Sequence, residues 1–236
     1  MIKFCGVDNS QFGGKPTNPP AISSLDASSI SSYSSAYYQT VAITKDGAVL
    51  AAGDNRKGLI FCSLPKQKFT QFTKFDIKDE IGCTYRPISA LCGEHYTLYL
   101  VSSTSGSNKR SIIFSSDSLN NTNPFFIEIP DSANPVALFG GLYTAAAIDD
   151  KGSVVFMPKL TKNYSSIFKE TALPDNEEAL SVACGTNFIN FFVLSSSGRV
   201  FPVGSDCNFG EAADFKGAKI IDISAIYEHC LALSED

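Results

Sequence analysis

The residues best suited to chemistry are few and widely spaced. The chain has two histidines, His95 and His229, and seven cysteines, none of which forms a Cys-x-x-Cys pair. Zinc sites of the finger type need two close pairs of Cys or His ligands. An odd, scattered set of cysteines instead predicts reduced thiols packed as small apolar groups, and we expect Cys92 and Cys184 in the core. No metal ion or other cofactor is expected.

Nucleophiles and carboxylates show no catalytic pattern either. Serine is abundant, but the chain has no Gly-x-Ser-x-Gly elbow, and the Gly-Gly-Lys segment at 13–15 lacks the rest of a phosphate-binding loop. Asp46, Asp150 and Asp236 fall at turn positions, where carboxylates commonly bond to the backbone. The sequence therefore predicts a protein that is not an enzyme and has no catalytic residues.

Composition narrows the class of partner. The 236 residues are 44% hydrophobic and 18% charged, which is sufficient for a folded core. A net charge of −5 argues against direct nucleic-acid binding, because phosphate contacts are made mainly by Lys and Arg. The chain has no apolar run of the roughly 20 residues that a membrane helix needs, and no signal-peptide pattern at its start. With the scattered cysteines, this predicts a cytoplasmic or nuclear protein without membrane contact.

The elements that must position any site are repeated hairpins. Residues 39–55 read as a short strand, a Lys-Asp-Gly turn, a second short strand and then Gly-Asp-Asn. We predict a tight turn whose two central residues, Asp46 and Gly47, both take positive φ. Related stretches recur along the chain. A marker residue, usually small, precedes the inner strand of each copy: Ala36, Gly93, Gly141, Gly185 and Ile226.

A loose period of about 40 to 60 residues in short, turn-punctuated strands is typical of a β-propeller. We predict an all-β chain, a β-propeller of about five four-stranded blades. It is expected to form one domain over 1–236, with repeats near 1–47, 48–106, 107–152, 153–198 and 199–236.

The two ends of the chain read as halves of one blade. The fifth copy contains two strands, and residues 1–14 resemble the missing outer half. We therefore expect the N-terminal strand to close the last blade, which would cover open sheet edges. The alternative is that a longer protein continues beyond Asp236.

Several of these stretches resemble the repeats of the regulator of chromosome condensation family. The matching segments are 6–13, 45–55, 93–100, 198–204, 208–210 and 229–236. The resemblance extends over nearly the whole chain, but the second and third units lack the Gly-x-Asn segment. The family's His at the start of the inner strand appears only as His229, and its other positions hold Gln39, Tyr96, Thr144 and Phe188.

The repeat residues are expected to be structural, because glycines permit positive φ or close strand approach and Asx side chains bond to the backbone. These residues are Gly6, Asn9, Gly47, Gly53, Asn55, Gly93, Gly141, Gly152, Gly185, Gly198 and Gly204.

The function predicted from the loops is a non-enzymatic interaction module that binds a protein partner through its loop faces. The most irregular segments are 66–86, 102–110, 120–134 and 159–176. The first contains a candidate partner-binding loop in which basic and aromatic residues alternate: Lys66, Lys68, Phe69, Phe72, Lys74, Phe75 and Lys78. The alternative for these phenylalanines is that they form the core faces of outer strands.

Two other functions stay open. The resemblance implies guanine-nucleotide exchange on a Ran-type small GTPase, although this chain reads as having fewer blades than the founding member, and no segment aligns with that protein's wedge-like hairpin. The ring could also be a scaffold within a larger multidomain protein, such as one with a BTB or ubiquitin-ligase module. Fold alone does not decide between these functions.

Overall fold

The structure, a computed structural model, describes residues 2–5, 22–78, 84–104, 109–116, 125–157, 160, 169–185, 191–204, 206–226 and 229–235. Gly6, Asn9 and the rest of the segment 6–21 lie outside the described residues. The chain forms two compact units, Met1–Ile127 and Glu128–Asp236, and each is described by itself. The expected single domain over 1–236 and its repeat boundaries stay predictions.

The first unit contains eleven described strands in three antiparallel sheets. Strands β1 (Ile2–Cys5) and β2 (Ile22–Leu25) pair with each other. A short 3-10 turn, Ala27–Ser29, then leads into a four-stranded sheet of β3 (Ile30–Ser35), β4 (Gln39–Thr44), β5 (Val49–Asp54) and β6 (Lys68–Phe75). The third sheet contains β7 (Ile77–Lys78), β8 (Thr84–Cys92), β9 (Tyr96–Ser103), β10 (Arg110–Ser116) and β11 (Phe125–Ile127).

The second unit also consists of three antiparallel sheets among its described residues. A four-stranded sheet is formed by β12 (Pro135–Gly140), β13 (Ala145–Asp149), β14 (Val154–Met157) and β15 (Lys169–Thr171). After a 3-10 turn at Pro174–Asn176 come β16 (Ala179–Cys184), β17 (Phe191–Ser195) and β18 (Val200–Val203), which form a three-stranded sheet. Strands β19 (Ile220–Ile226) and β20 (His229–Ser234) form a two-stranded sheet.

Each of the five predicted inner strands therefore lies in a sheet of its own, where it pairs with the strand before it. Each of the first four also holds the predicted return strand. The last sheet has two described strands, as the sequence indicated, and Leu231 and Leu233 on β20 are exposed. Closure of this blade by the N-terminal strand stays a prediction.

The glycine hairpins have the predicted positions but a different geometry. Gly47 has positive φ, and Asp46 does not, so the expectation for Asp46 is wrong. The loop has three residues, 45–47, and ends on a left-handed glycine, a common alternative to the two-residue turn. Thr44 closes it, because its N–H donates to the Ala48 carbonyl at 2.9 Å and its hydroxyl accepts from the Ala48 N–H at 2.8 Å.

The same loop recurs at Gly152 and Gly198, which also have positive φ. Each of these glycines donates its N–H to the residue three positions earlier, Asp149 at 3.2 Å and Ser195 at 3.0 Å. A side chain with a Cβ is strained in this conformation, so glycine is required at these positions.

A second turn, of two residues, follows each of the strands β3, β8 and β12. In three sheets the N–H of the marker residue donates to the carbonyl of the residue three positions later. These bonds join Ala36 to Gln39 at 3.0 Å, Gly93 to Tyr96 at 2.9 Å and Gly141 to Thr144 at 2.9 Å. The bond joins backbone atoms only, so it holds the backbone of the two residues between its ends in the same conformation in each turn.

Aromatic rings fill the core of each unit. In the first unit the Phe61 ring lies 5.7 Å from both Phe75 and Tyr99, measured between ring centroids. In the second unit Phe156 lies 5.0 Å from Phe191. Rings at these separations add attraction to their burial. No helix among the described residues is long and apolar enough to cross a bilayer.

Candidate functional site

The predicted partner-binding loop is largely a strand. Its phenylalanines lie on β6, where Phe69 and Phe75 are buried in the core of the first unit and Phe72 is half-buried. The expectation of an exposed aromatic loop is therefore wrong for Phe69 and Phe75. The physical reason is that Phe and Thr favour a half-buried strand, and the apolar side chains turn toward the sheet's own core. The alternative interpretation, core faces of an outer strand, is the one the structure supports.

The lysines of this segment remain on the surface. Lys68 and Lys74 are exposed on β6, Lys78 is exposed on β7, and the exposed Lys66 donates its ammonium to the Cys62 carbonyl at 3.0 Å. Strand β6 is the last strand of its sheet, and lysines on such a strand discourage pairing with another chain. Their position has a structural explanation, and their role in binding stays a proposal.

Two of the other irregular segments also contain outer strands. Segment 120–134 includes β11, and segment 159–176 includes β15 and the 3-10 turn that follows. These strands are short and lack a clear apolar alternation, so no sequence pattern marks them.

Asn55 holds the segment that follows β5. Its side chain is fully buried, and its amide donates to the carbonyls of Phe61 at 3.1 Å and Pro65 at 3.2 Å. Its carbonyl oxygen accepts from the N–H groups of Ile60 at 2.9 Å and Phe61 at 3.0 Å. Backbone groups in an irregular segment need such partners when they are buried. The structural role expected of Asn55 is thus visible in its contacts.

Gly53 brings the end of β5 against the two-residue turn at 37–38. It has a φ of +122°, and an added Cβ would lie 2.7 Å from the Cα of Gln39 and closer still to the carbonyl oxygen of Tyr38. The next residue, Asp54, donates its N–H to that same carbonyl at 2.8 Å. Glycine is therefore needed for the close approach of the two segments.

Side chains of the third sheet reach the same segment. Thr97 donates its hydroxyl to the Leu59 carbonyl at 2.8 Å, and Tyr99 donates to the Ile60 carbonyl at 2.7 Å. From the four-stranded sheet, Gln39 on β4 donates its side-chain amide to the Gly93 carbonyl at 3.0 Å. These buried bonds join the turn at 37–38, the segment after Asp54 and the turn at 94–95 at one end of the two sheets.

A cleft of about 450 Å³ opens where these segments meet. Its lining contains an exposed aromatic ring, both signs of charge and one apolar side chain: Tyr38, Asp54, Arg56, Lys57, Leu59 and His95. The neighbouring Tyr37 is also exposed, and its ring centroid lies 6.2 Å from that of Tyr38. We call this site the tyrosine cleft.

Asp54 and Arg56 form a local ion pair on one wall of the tyrosine cleft. The Arg56 guanidinium donates from Nε to both Asp54 carboxylate oxygens at 3.0 Å, and from Nη2 at 2.5 Å. These hydrogen bonds hold the pKa of Asp54 below its ordinary value against the opposite effect of partial burial. The Arg56 side chain is still 69% exposed, so one face of the guanidinium is open to a ligand.

His95 also lines the cleft, and Glu94 lies beside it. The His95 Nε2 lies 3.7 Å from Oε1 of Glu94, and the His95 side chain is 42% exposed. The second carboxylate oxygen of Glu94 is buried without a hydrogen-bond partner among the described residues. The Glu94 side chain is 19% exposed and lies next to the imidazole.

Sequence reasoning did not select the tyrosine cleft. It interpreted Asn55 as structural and did not select Tyr38, Lys57 or His95 as candidate binding residues. The signal that could have found the cleft is the position of its residues in the sequence. They flank the markers Ala36 and Gly93 and the Gly-Asp-Asn segment at 53–55.

The described cysteines show no reactive or metal-binding arrangement. Cys92 and Cys184 are buried as expected, and they are free thiols, as are Cys62 and Cys230. Burial raises the pKa of Cys92 to about 12, and it also raises the pKa of Cys184. Within the described ranges, no three His, Cys, Asp or Glu side chains come together as a metal site would require.

Comparison with solved structures identifies the fold of the chain. The chain is similar to human WBSCR16, with a TM-score of 0.68 and 16% identity over 92% of this chain and 62% of that one. It is similar to Prp20p of Saccharomyces cerevisiae, with a TM-score of 0.62 and 12% identity over 94% of this chain and 60% of that one. The Prp20p structure was described together with binding to Gsp1p and histones.

A third similar structure is YCF48 bound to a D1 peptide, with a TM-score of 0.50 and 12% identity over 86% of this chain and 61% of that one. No protein-family model and no curated protein matches the sequence. At these identities the likenesses show the fold: the chain is a β-propeller of the kind found in the regulator of chromosome condensation family. It spans 62% and 60% of the lengths of the first two structures.

Proposed function

We propose that this chain is a non-enzymatic β-propeller interaction module that binds a protein partner through the tyrosine cleft. The observation that carries the proposal is the cleft itself, a concave site at the turn end of two sheets in the first unit. Tyr37 and Tyr38 are exposed near the cleft, and so is most of the Arg56 side chain. Tyr and Arg are among the residue types that most often dominate protein–protein binding energy.

The frame beneath the cleft supports this role. The backbone bonds at the two-residue turns and the buried side-chain bonds of Asn55 and Gln39 hold the lining segments in place without using the cleft side chains. A rigid frame reduces the ordering cost of binding. The similar fold of YCF48 was solved with a bound peptide, which supports peptide recognition by analogy of fold alone.

The lysines around β6 are proposed as a second contact surface. Lys66, Lys68, Lys74 and Lys78 are exposed, and opposite charge on a partner would speed its association. We place this module in the cytoplasm or nucleus, since Cys62, Cys92, Cys184 and Cys230 are free thiols.

Site-specific crosslinking tests the proposal. A photoreactive phenylalanine analogue replaces Tyr37, and a matched control replaces Leu180, which is exposed in the second unit. The captured protein is then purified and titrated calorimetrically against the unmodified chain and the variants Tyr38→Ala and Leu180→Ala. We expect Tyr38→Ala to weaken binding by about tenfold or more, as a hot-spot aromatic does. A partner whose affinity depends on Leu180 and not on Tyr38 would contradict the proposed site.

Guanine-nucleotide exchange is the alternative function. Its support is the fold shared with Prp20p, which was described as binding Gsp1p. Release of a fluorescent GDP analogue from a Ran-type GTPase measures this activity directly. We expect release at the spontaneous rate, and accelerated release would put exchange ahead of a pure interaction role.

A further inference from the structure

We propose that the tyrosine cleft recognises an acidic peptide segment, with Lys57 pairing with a carboxylate and Tyr38 and Leu59 receiving an adjacent apolar side chain. This inference rests on the proposed function and adds the chemistry of the partner.

Among the described residues that line the cleft, Lys57 is the cation that has no partner within the chain. Asp54 is paired with Arg56 through three contacts of 2.5 to 3.0 Å, and the Glu94 carboxylate lies next to His95. Lys57 is exposed and makes no hydrogen bond or ion pair with any described residue. A charged side chain on a cleft wall without a partner is the natural contact for a ligand of opposite charge.

The apolar part of the cleft defines what accompanies the carboxylate. Leu59 is buried apart from the small area that it presents to the cleft, and the Tyr38 ring stands exposed. A volume of about 450 Å³ accommodates a few side chains and is at the lower end for small-ligand pockets. Tyrosine combines a large apolar face with a polar tip, which suits a peptide that is partly apolar and partly charged.

A carboxylate fits this site better than a phosphate. Phosphate recognition favours a guanidinium whose donors are free for two-point contact. The Arg56 Nε and Nη2 groups already donate to Asp54, and that carboxylate would repel a doubly charged phosphate more strongly than a singly charged group. Lys57 acts as a point charge, which is sufficient for a carboxylate.

The test measures the binding of three labelled six-residue peptides by fluorescence anisotropy at about 0.1 M salt. At this salt concentration, charges of the protein that lie more than roughly 10 Å from the peptide are largely screened. The first peptide alternates Glu and Leu, the second carries Gln in place of Glu, and the third carries phosphoserine in place of Glu. The protein is the full chain, compared with Lys57→Gln and with the control Lys45→Gln. Lys45 is an exposed lysine in the three-residue hairpin loop at the other end of the sheet.

We expect the Glu peptide to bind about three- to tenfold more tightly than the Gln peptide, the range of one or two partly screened ion pairs. Lys57→Gln should remove that difference and leave binding of the Gln peptide unchanged, and Lys45→Gln should alter neither. Equal affinity for the Glu and Gln peptides, no effect of Lys57→Gln, or tighter Lys57-dependent binding of the phosphoserine peptide would each overturn the inference.

The two proposals fail differently. If the crosslinked partner depends on Tyr38 but the Glu peptide shows no preference, the acidic chemistry is wrong and the interaction site stands. If neither Tyr38 nor Lys57 affects any partner or peptide, both proposals are wrong.

Discussion

The Asn55 side chain uses both of its polar atoms to hold the segment that lines the tyrosine cleft. It makes four hydrogen bonds to the backbone, all from a fully buried position. Asn55→Ala should lower the free energy of unfolding by about 2 to 4 kcal/mol, because several buried backbone groups lose their partner. Urea unfolding followed by circular dichroism measures the change.

Asn208→Ala is the matched control. Asn208 is exposed and pairs with the exposed Asp206 side chain two residues away. Its removal should cost less than about 1 kcal/mol, as is usual for a surface position. Equal losses in the two variants would show that Asn55 has no special role in holding the segment.

The buried thiol of Cys92 should make the free energy of unfolding fall at high pH. Burial raises its pKa from an ordinary 9.0 to about 12, so the folded chain keeps the thiol neutral where the unfolded chain ionises it. This contribution is present below pH 9 and is lost as the pH rises toward 12. At pH 10 the unfolded state gains about 1.4 kcal/mol from this group.

The measurement compares the unmodified chain with Cys92→Ala at pH 8 and pH 10. Other titrating groups act alike in both proteins, so the stability difference between them isolates the thiol. We expect the advantage of the unmodified chain to shrink by about 1.4 kcal/mol over this interval. Parallel pH curves would mean that the thiol is open to water.

At the scale of elements, Gln39 joins one sheet to the next. It stands where the family resemblance would place a His, and its amide donates to the carbonyls of Gly93 at 3.0 Å and Tyr96 at 3.1 Å. Thr144 does the same in the second unit, donating to the Gly185 carbonyl at 3.3 Å. The position therefore serves as a link between neighbouring sheets, whichever donor occupies it.

Gln39→Leu should cost about 1 to 3 kcal/mol of unfolding free energy, because two buried carbonyls lose a donor. Gln39→Glu should cost more, since a carboxylate would face those same oxygens, and part of the loss should recover at acid pH as the carboxyl gains a proton. Chemical unfolding at pH 7 and pH 4 tests both variants beside Ser35→Ala, a change at an exposed residue of the neighbouring strand β3. A Gln39→Glu protein as stable as Gln39→Leu at pH 7 would contradict the link.

The sheets could be predicted from the sequence because each hairpin is encoded locally. Gly47, Gly152 and Gly198 mark loops with one shared hydrogen-bond pattern, and the markers Ala36, Gly93 and Gly141 locate the second turn. The binding segment was misassigned because alternation of Lys and Phe is equally compatible with an exposed loop and with an edge strand. Burial of Phe69 and Phe75 depends on β5 and on the rings of Phe61 and Tyr99, which adjacent sequence does not reveal.

At the scale of the whole molecule, the net charge determines which charged partners are attracted and which are repelled. The chain carries −5 at neutral pH with a pI near 5.1. We expect no retardation of a 30-base-pair DNA duplex at about 0.15 M salt, because the chain as a whole repels phosphate. Electrophoretic mobility measures this, and the Lys→Gln variant at positions 66, 68, 74 and 78 is the control. Binding that this variant abolishes would assign a nucleic-acid role to the lysines around β6.

The tyrosine cleft could not be found by the same reasoning that found the fold. Its lining comes from three separate segments, and these meet only through contacts such as Thr97 to Leu59 and Gln39 to Gly93. Repeat periodicity locates where turns occur, whereas the side chains that converge there differ from unit to unit. Function in such a fold resides in those differences, which no repeat pattern specifies.

The two-residue turns have a consequence for engineering. At 37–38, 94–95 and 142–143 the hydrogen bond that closes the turn joins backbone atoms only. The closing hydrogen bond therefore does not depend on which side chains these pairs of positions carry. A combinatorial library at the exposed positions Tyr37, Tyr38 and His95 would display three variable side chains around one preformed cavity, and selection from it could yield new binding specificities on the same scaffold.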